Sequence, residues 1–434
     1  MIQFSLLSLD QLDRFINWIK ERLWVRPLAM SLLSLGGIFI ANLADDADLS
    51  SAVPDVSLDS VTSLLSIMAS SMLIIATFAV GSMVSAYASA STAATPRSFP
   101  LVLADDVTQN ALSAFVGAFI FSLVSLVAVE NDRFGSAGLF TIFALTVLVF
   151  VIVIGTFVRW VDRIARLGRV TNTIEKVEKA SSAALERRRK SPTLGALPAH
   201  SGKANEGGIG VCSPTVGYVQ HIDMQALQSG AEKYSCRVLV KALPGTFVST
   251  SRPLLLVEGR DSFKPSVFEK AFTIGRDRAF EDDPRFGLVA LAEIGARALS
   301  SGINDPGTAI NIIGTMVRLF TYLQAPLEEG EKSEIKYDRI MVPRLDIEDL
   351  FDDAFTAIAR DGAGIVEVSI RLQKAFCALS ETSDELTVAA ARKHSRMALL
   401  RSEQAMSYQH DIELLRNAAA LCATQKKPAP GGAG

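Results

Sequence analysis

Charge is what the first part of this 434-residue chain lacks. Through Val158 there are six basic residues (Arg14, Lys20, Arg22, Arg26, Arg97, Arg133) and twelve acidic ones, whereas the remainder holds 37 basic and 34 acidic. Hydrophobic residues make up 49% and charged residues 21%, a composition that excludes wholesale disorder. A formal net charge of −3 excludes a strongly basic protein, so no nucleic-acid partner is expected. Cysteine is scarce. Cys212, Cys236, Cys377 and Cys422 are too few and too widely spaced for a disulfide scaffold or a zinc site. Histidine is scarcer in useful pattern: His200, His394 and His410 are isolated, and His221 with Asp223 would share one side of a strand end, which favours a hydrogen bond over an incomplete metal site. The chain has no GxxxxGK[ST], HExxH, CxxC or GxSxG motif, so no catalytic residue, metal or cofactor is assigned and an enzyme is not expected.

What fills the uncharged part is membrane-length apolar sequence. Four stretches lack charge: Pro27 to Ala44, Ser60 to Pro96, Val107 to Val129 and Phe134 to Val158. Each reaches the roughly 17–25 residues a bilayer-crossing helix needs. They predict four transmembrane helices near 24–43, 61–87, 108–129 and 138–158, hence a membrane domain over 1–158. Residues Met1 to Arg22 read as a surface amphipathic helix rather than a cleaved signal peptide. Arg14, Lys20, Arg22 and Arg26 precede the first span, and Arg159, Arg163, Arg166 and Arg169 follow the fourth. Between spans one and two stand only acidic charges. The positive-inside rule then puts both termini in the cytoplasm of a bacterial inner membrane. The cysteines all fall on that reducing side.

The second span carries the most pattern. Gly81, Ser85 and Ser89 recur every fourth residue beside Ser82 and Ala86, and Ser91 and Thr92 continue the small polar run. Two readings fit this face. It packs closely against another helix, span three or a second copy of the chain. Or Ser82, Ser85, Ser89, Ser91 and Thr92 line a polar path. A packed homo-oligomer would satisfy both. None of the spans has an ionisable residue in its core, which argues against proton-coupled transport and leaves a passive, channel-like conduit or an anchor.

Beyond Val158 the pattern changes. Arg159 to Lys190 predicts one basic helix continuing from span four, with Trp160, Ile164, Leu167, Val170, Ile174 and Val177 as its apolar stripe. Its end, Arg187-Arg188-Arg189-Lys190, suits a solvated helix end or anionic lipid heads. Residues 191–210, rich in Pro, Gly and Ser, read as a flexible linker. A small β-rich module is expected over 211–265, with strands at Thr215 to Ile222, Cys236 to Ala242 and Pro253 to Glu258, and a helix capped by Asp223. PGTFVSTSRPLLLVEG is similar to the hairpin of biotinyl and lipoyl carriers, but no lysine follows Glu258 where the carried group would sit. A helical domain over 266–423 and a disordered tail over 424–434 complete an α+β cytoplasmic part. Its helices start at Asp283-Pro284, Asp305-Pro306 and Asp346, and later ones run from Val366 to Leu379 and from Asp384 to Cys422.

The charged group Arg276, Arg278, Asp282, Asp283, Arg297, Asn304, Asp305 and Thr308 has two readings: helix caps and ion pairs that fix helix starts, or a polar pocket for a ligand or a neighbouring subunit. YVQHID, GRDRAFEDDPRFGLVALAEIGARALS and INDPGTAI, together with YASASTAATPRSFPLVLADD after span two, resemble the bacterial predicted membrane proteins of domain-of-unknown-function family 2254 (DUF2254). The likeness runs from about Trp24 to Leu421. It implies a membrane address and no particular activity. The residues themselves point to a homo-oligomeric membrane protein in contact with lipid, pore-like or gated by its cytoplasmic part. The alternative is a membrane-anchored sensor or scaffold whose cytoplasmic part binds a ligand or partner.

Overall fold

The computed structural model describes residues 25–46, 53–93, 95–103, 106–131, 133–166, 169–199, 207–259, 262–328, 334–382 and 384–424. The amphipathic helix expected before residue 23, His200 and the C-terminal tail from 425 lie outside them. The chain divides into two compact units, Met1–Thr173 and Ile174–Gly434.

The first unit is helical because, in an apolar run without water, only a helix satisfies every backbone N–H and C=O within one segment. Its helices are α1 (Val25–Asp46), α2 (Leu58–Ala93), the short α3 (Phe99–Leu103), α4 (Asp106–Glu130) and α5 (Ser136–Ile164). Thr95 caps a single 3₁₀ turn, Pro96–Ser98, ahead of α3. Among the described residues three helical stretches are long and apolar enough to cross a membrane: Leu58–Ser89, Val107–Glu130 and Ser136–Ile164. Half of the α4 stretch is buried, against 33% and 28% for the other two, which makes α4 the central helix. It packs on α1, α2 and α5. The buried face of α2 is Val61, Leu65, Met68, Met72, Ala76, Ala79, Met83 and Tyr87, a spacing of three and four. Trp160 is fully buried in an aromatic group with Phe78, Phe115 and Phe157, at centroid distances of 6.0, 6.2 and 5.9 Å.

One expectation fails here. Arg159 to Lys190 is not one helix: α5 ends at Ile164 and α6 begins at Val170 and runs to Lys190. Leu167 of the expected apolar stripe lies outside the described residues, and the positions on either side of it enter different cores. Trp160 is buried in the first unit, and Ile174 and Val177 are buried in the second. Gly168, a poor helix former, stands between them in the sequence.

The second unit combines two sheets with helices. Its elements after α6 are β1 (Ala196–Pro198), β2 (Ile209–Cys212), β3 (Gly217–Ile222), α7 (Met224–Tyr234), β4 (Arg237–Val240), β5 (Phe247–Val248), β6 (Pro253–Glu258), α8 (Pro265–Glu269), β7 (Phe272–Gly275), α9 (Pro284–Ala298), α10 (Pro306–Gln324), β8 (Tyr337–Val342), α11 (Ile347–Asp361), α12 (Val366–Leu379), α13 (Glu385–Ala405) and α14 (Gln409–Thr424). The larger sheet has the order β1-β8-β4-β6-β2 and the smaller β5-β3-β7. β8 is parallel to both β1 and β4, while β6 is antiparallel to β4 and β2. Val238, Val240, Leu254, Leu255, Val257 and Ile340 are fully buried in its core with Leu227 of α7 and Phe268 of α8. The helices close on a second core in which Phe320, Phe351 and Phe355 lie within 6 Å of one another, centroid to centroid, and Phe376 lies 5.0 Å from Phe355.

The domain boundaries shift accordingly. Part of the expected linker, 191–210, is a strand: β1 pairs with β8, and Ala196 is buried. The turn before it uses left-handed backbone at Leu194 and Gly195, and Gly195 O accepts from Lys336 N and Tyr337 N. The region 266–423 is not helical throughout, because β7 and β8 lie within it. β8 carries Asp338 and Arg339, which obscure its alternation; the Asp338 carboxylate accepts from Gln228 Nε2 at 2.7 Å. The helix expected from Asp384 to Cys422 is two, α13 and α14, separated by Met406–Tyr408, so that α14 folds back to pack on α12 and α13.

Candidate functional site

The small-residue face of α2 is open in the single chain. Gly81, Ser85 and Ser89 are exposed and Ser82 is half-buried. A Cβ added at Gly81 would meet nothing within 4 Å. Residues two apart on a helix lie about 200° apart, so Gly81 and Ser85 stand opposite the buried Met83. The face therefore does not pack on span three within one chain, because Met83 and its stripe take that side. Earlier on the same face Ile67, Ile74 and Phe78 are 64%, 70% and 64% exposed. Where the side chains shrink after Phe78, a groove of 510 Å³ opens, lined by Phe78, Gly81, Ser82, Ser85, Ser89 and Ile164. Ser91 and Thr92 belong to α2, but their side chains lie outside the described residues.

The charged residues of the second unit fall into two places. Asp305 caps α10: its carboxylate accepts from Thr308 N at 3.1 Å and Thr308 Oγ1 at 2.6 Å. Asn304 before it takes φ +50°, and Asp305 N donates to Ala298 O, so this loop lies at the C-terminal end of α9. Arg297, Asn304 and Asp305 are exposed. The other place is the N-terminal end of α9, one helix of 15 residues away, or about 22 Å. There Asp283 is 1% exposed and caps α9 through Arg285 N and Phe286 N. Arg278 grips the same carboxylate in a fork, Nε to Oδ2 at 2.6 Å and Nη2 to Oδ1 at 2.9 Å. Burial pushes the Asp283 carboxyl up, and the fork and the two backbone donors pull against it. Arg276 is exposed beside this cluster. Asp282 pairs with His221, whose Nδ1 lies 2.6 Å from Oδ2, so His221 meets a carboxylate from a distant segment rather than Asp223, which caps α7.

Around Arg278 the fold builds a pocket of 380 Å³. One wall is the turn Pro244-Gly245. Gly245 has φ +89°, and any Cβ there would strike the Asp283 carboxylate, so both backbone and space require glycine. Arg285 forms another wall. Its Nη1 lies 2.5 Å from Asp349 Oδ2 and its Nε 2.6 Å from Asp353 Oδ2. Burial works against the Arg285 charge, but Asp353 and Asp349 outweigh it and raise its pKa. Lys241, Arg252 and Arg344 complete five cationic side chains, against the carboxylates of Asp346 and Asp349. Lys241, Arg252 and Arg344 were not singled out in sequence, since they are scattered over a hundred residues and only the fold brings them together.

The basic end of α6 is tied to this unit through its three arginines, of which Arg188 is buried and Arg187 exposed. Arg188 is 6% exposed and donates from Nη2 to Pro343 O at 3.3 Å. Arg187 donates to Glu281 O, and Arg189 donates to Ala325 O and covers the Tyr322 ring. Burial pushes the Arg188 guanidinium down to about 10, with the charge of Asp282 acting the other way.

No curated protein and no solved structure matches the chain. A family model described as "Predicted membrane protein (DUF2254)" matches residues 20–378. That match spans both units, from the helices that bury Trp160 to the pocket around Arg278, and covers well over half of the sequence: the chain belongs to the DUF2254 family of predicted membrane proteins.

Proposed function

We propose that this membrane protein is a homo-oligomer of the bacterial inner membrane that forms a pore or gated conduit, with the second unit as its cytoplasmic assembly and gating domain. The observation that carries this reading is the groove along Gly81, Ser82, Ser85 and Ser89, small and hydroxyl-bearing on an outer surface otherwise made of residues such as Ile74 and Phe78. Lipid tails offer helices little hydrophobic reason to associate, so close approach of small residues and interhelical hydrogen bonds supply it. The same face of a second copy would fill the groove and set the hydroxyls along an axis.

In this reading α1 is the fourth crossing. Residues 27–44 within it carry no charge, and the cap that Asp45 gives to the start of α5 puts the end of one helix beside the start of the other. An even number of crossings leaves both termini on one side, the cytoplasmic side by the flanking arginines. With no ionisable group in the span cores, the conduit is passive, and no catalytic step is assigned to the chain. The second reading, a membrane-anchored sensor or scaffold, is favoured by the cationic pocket of the second unit.

Mass measurement of the full chain in nanodiscs, followed by planar-bilayer recording, tests the proposal. The expected result is an oligomer that carries current, with Ser85→Ala assembling normally but changing the conductance and Ser85→Leu failing to assemble. A monomer overturns the oligomer, and a current-free oligomer leaves the sensor or scaffold reading in its place.

A further inference from the structure

We propose that the pocket between the Pro244-Gly245 turn and the start of α11 binds a small phosphate-bearing anion. The inference concerns the second unit alone and stands or falls independently of the conduit.

The charge balance is the first argument. Arg278 is balanced by Asp283 and Arg285 by Asp349 and Asp353, so the surplus positive charge rests on Lys241, Arg252 and Arg344, against Asp346. Asp346 accepts from Glu348 N at 2.9 Å as the cap of α11, and Asp349 holds Arg285. Lys241, Arg252 and Arg344 have no ion-pair partner among the described residues, yet they face the same space as Arg278 and Arg285. Behind the wall, Arg188 is buried with no ion-pair partner among the described residues and with its Nε unpaired, and it is tied to Pro343, a pocket residue. A buried charge is poorly screened, so it adds to the positive potential of the pocket. An anion is the complement that such a site lacks.

Preorganisation is the second argument. Arg278 is held by a buried carboxylate in a two-point fork, and Arg285 by two carboxylates, so neither guanidinium has to be ordered when a ligand arrives. Guanidinium groups held in fixed planes match the oxygens of phosphate. Lys241, Arg252 and Arg344 are exposed at the pocket mouth, with Arg252 Nη1 donating to Phe247 O at 3.5 Å.

Size and shape are the third. A volume of 380 Å³ falls at the lower end of the about 300–1,000 Å³ of small-molecule sites. Phe247 lines it and is 51% exposed, an apolar edge for the non-phosphate part of the ligand. Two sources share this chemistry, a soluble phosphorylated metabolite and a phospholipid headgroup.

Isothermal titration of the full chain in phosphatidylcholine nanodiscs tests the proposal with two probes: inorganic pyrophosphate, and short-chain dihexanoyl phosphatidylglycerol with dihexanoyl phosphatidylcholine as its control. Saturable binding of at least one anionic probe is expected, weakened about tenfold or more in Lys241→Gln/Arg344→Gln while the melting of the unliganded chain is unchanged. Pyrophosphate binding assigns the soluble source. Binding of the phosphatidylglycerol alone assigns the headgroup. If the double variant melts differently, Arg252→Gln on its separate loop makes the same comparison. Absence of saturable binding by both probes, or binding that these variants leave unchanged, overturns the site.

Discussion

Asp45 occupies the space that a side chain on Gly138 would need. Its carboxylate accepts from Gly138 N at 2.6 Å and from Gly135 N at 2.9 Å, so the last turn of α1 caps the first turn of α5. A Cβ at Gly138 would collide with that carboxylate. The two helices are thereby pinned at one end, and the Gly138 N–H in the first turn of α5 is satisfied by a residue ninety-three positions earlier.

This pair makes a double-variant prediction. Asp45→Ala removes a cap worth about 0.5–2 kcal/mol and should lower the melting temperature of the purified protein in mild detergent. Gly138→Ala should lower it further, because it both displaces the carboxylate and crowds the helix end. In the Asp45→Ala background, Gly138→Ala should cost less, since only the Phe134 ring, 3.0 Å from the added Cβ, remains to give way. Additive losses in a thermal-melt cycle would show that the two residues do not act together.

Asp305 offers a cap outside the membrane unit. The Thr308 hydroxyl and the backbone N–H of Thr308 hold its carboxyl below the usual carboxylate value. A lowered folded pKa means that the charged form is the stabilising one. The contribution is present above the unfolded value of about 3.9 and is lost as pH falls through the folded value. Asp305→Ala should lower the melting of the second unit at pH 7, by the equivalent of about 0.5–2 kcal/mol, and the difference from the parent should shrink at the acid end. A difference that stays constant into strong acid would contradict a charge-assisted cap.

How far the sequence was legible follows from what each feature depends on. Local chemistry was readable: the uncharged runs of α2, α4 and α5, the caps Asp223, Asp283, Asp305 and Asp346, and the boundaries Pro253–Glu258 and Val366–Leu379. Tertiary pairing was not. β8 reads as polar because Asp338 answers Gln228 of α7, and β1 exists only because β8 lies beside it. The charged residues looked like one cluster because they are near in sequence, yet α9 separates Asp283 from Asp305 by its full length. Conversely, Lys241, Arg252 and Arg344 share a pocket that no spacing announces.

His394 lies 3% exposed against Phe351 and Phe376, with Glu348 and Asp352 at 3.5 and 3.6 Å from its Nε2 and Lys393 alongside. Burial lowers its pKa, Asp352 and Glu348 oppose that, and Lys393 adds to it. The folded state then binds the proton less readily than the unfolded chain. Stability from this residue is complete above the unfolded value of about 6.5 and declines as pH falls below it toward the folded value. Melting measured between pH 7.5 and 5 should fall for the parent and fall less for His394→Gln. Equal slopes would contradict a buried neutral imidazole.

In the proposed homo-oligomer the open face of α2 meets the same face of another copy. Cysteine cross-linking in the native membrane probes this contact. Ser85→Cys lies on the groove, and Val151→Cys, 61% exposed on α5, is the control. Mild oxidation is expected to join two chains through position 85 and to leave position 151 monomeric. Monomer at position 85 under conditions that link position 151 would rule out this interface.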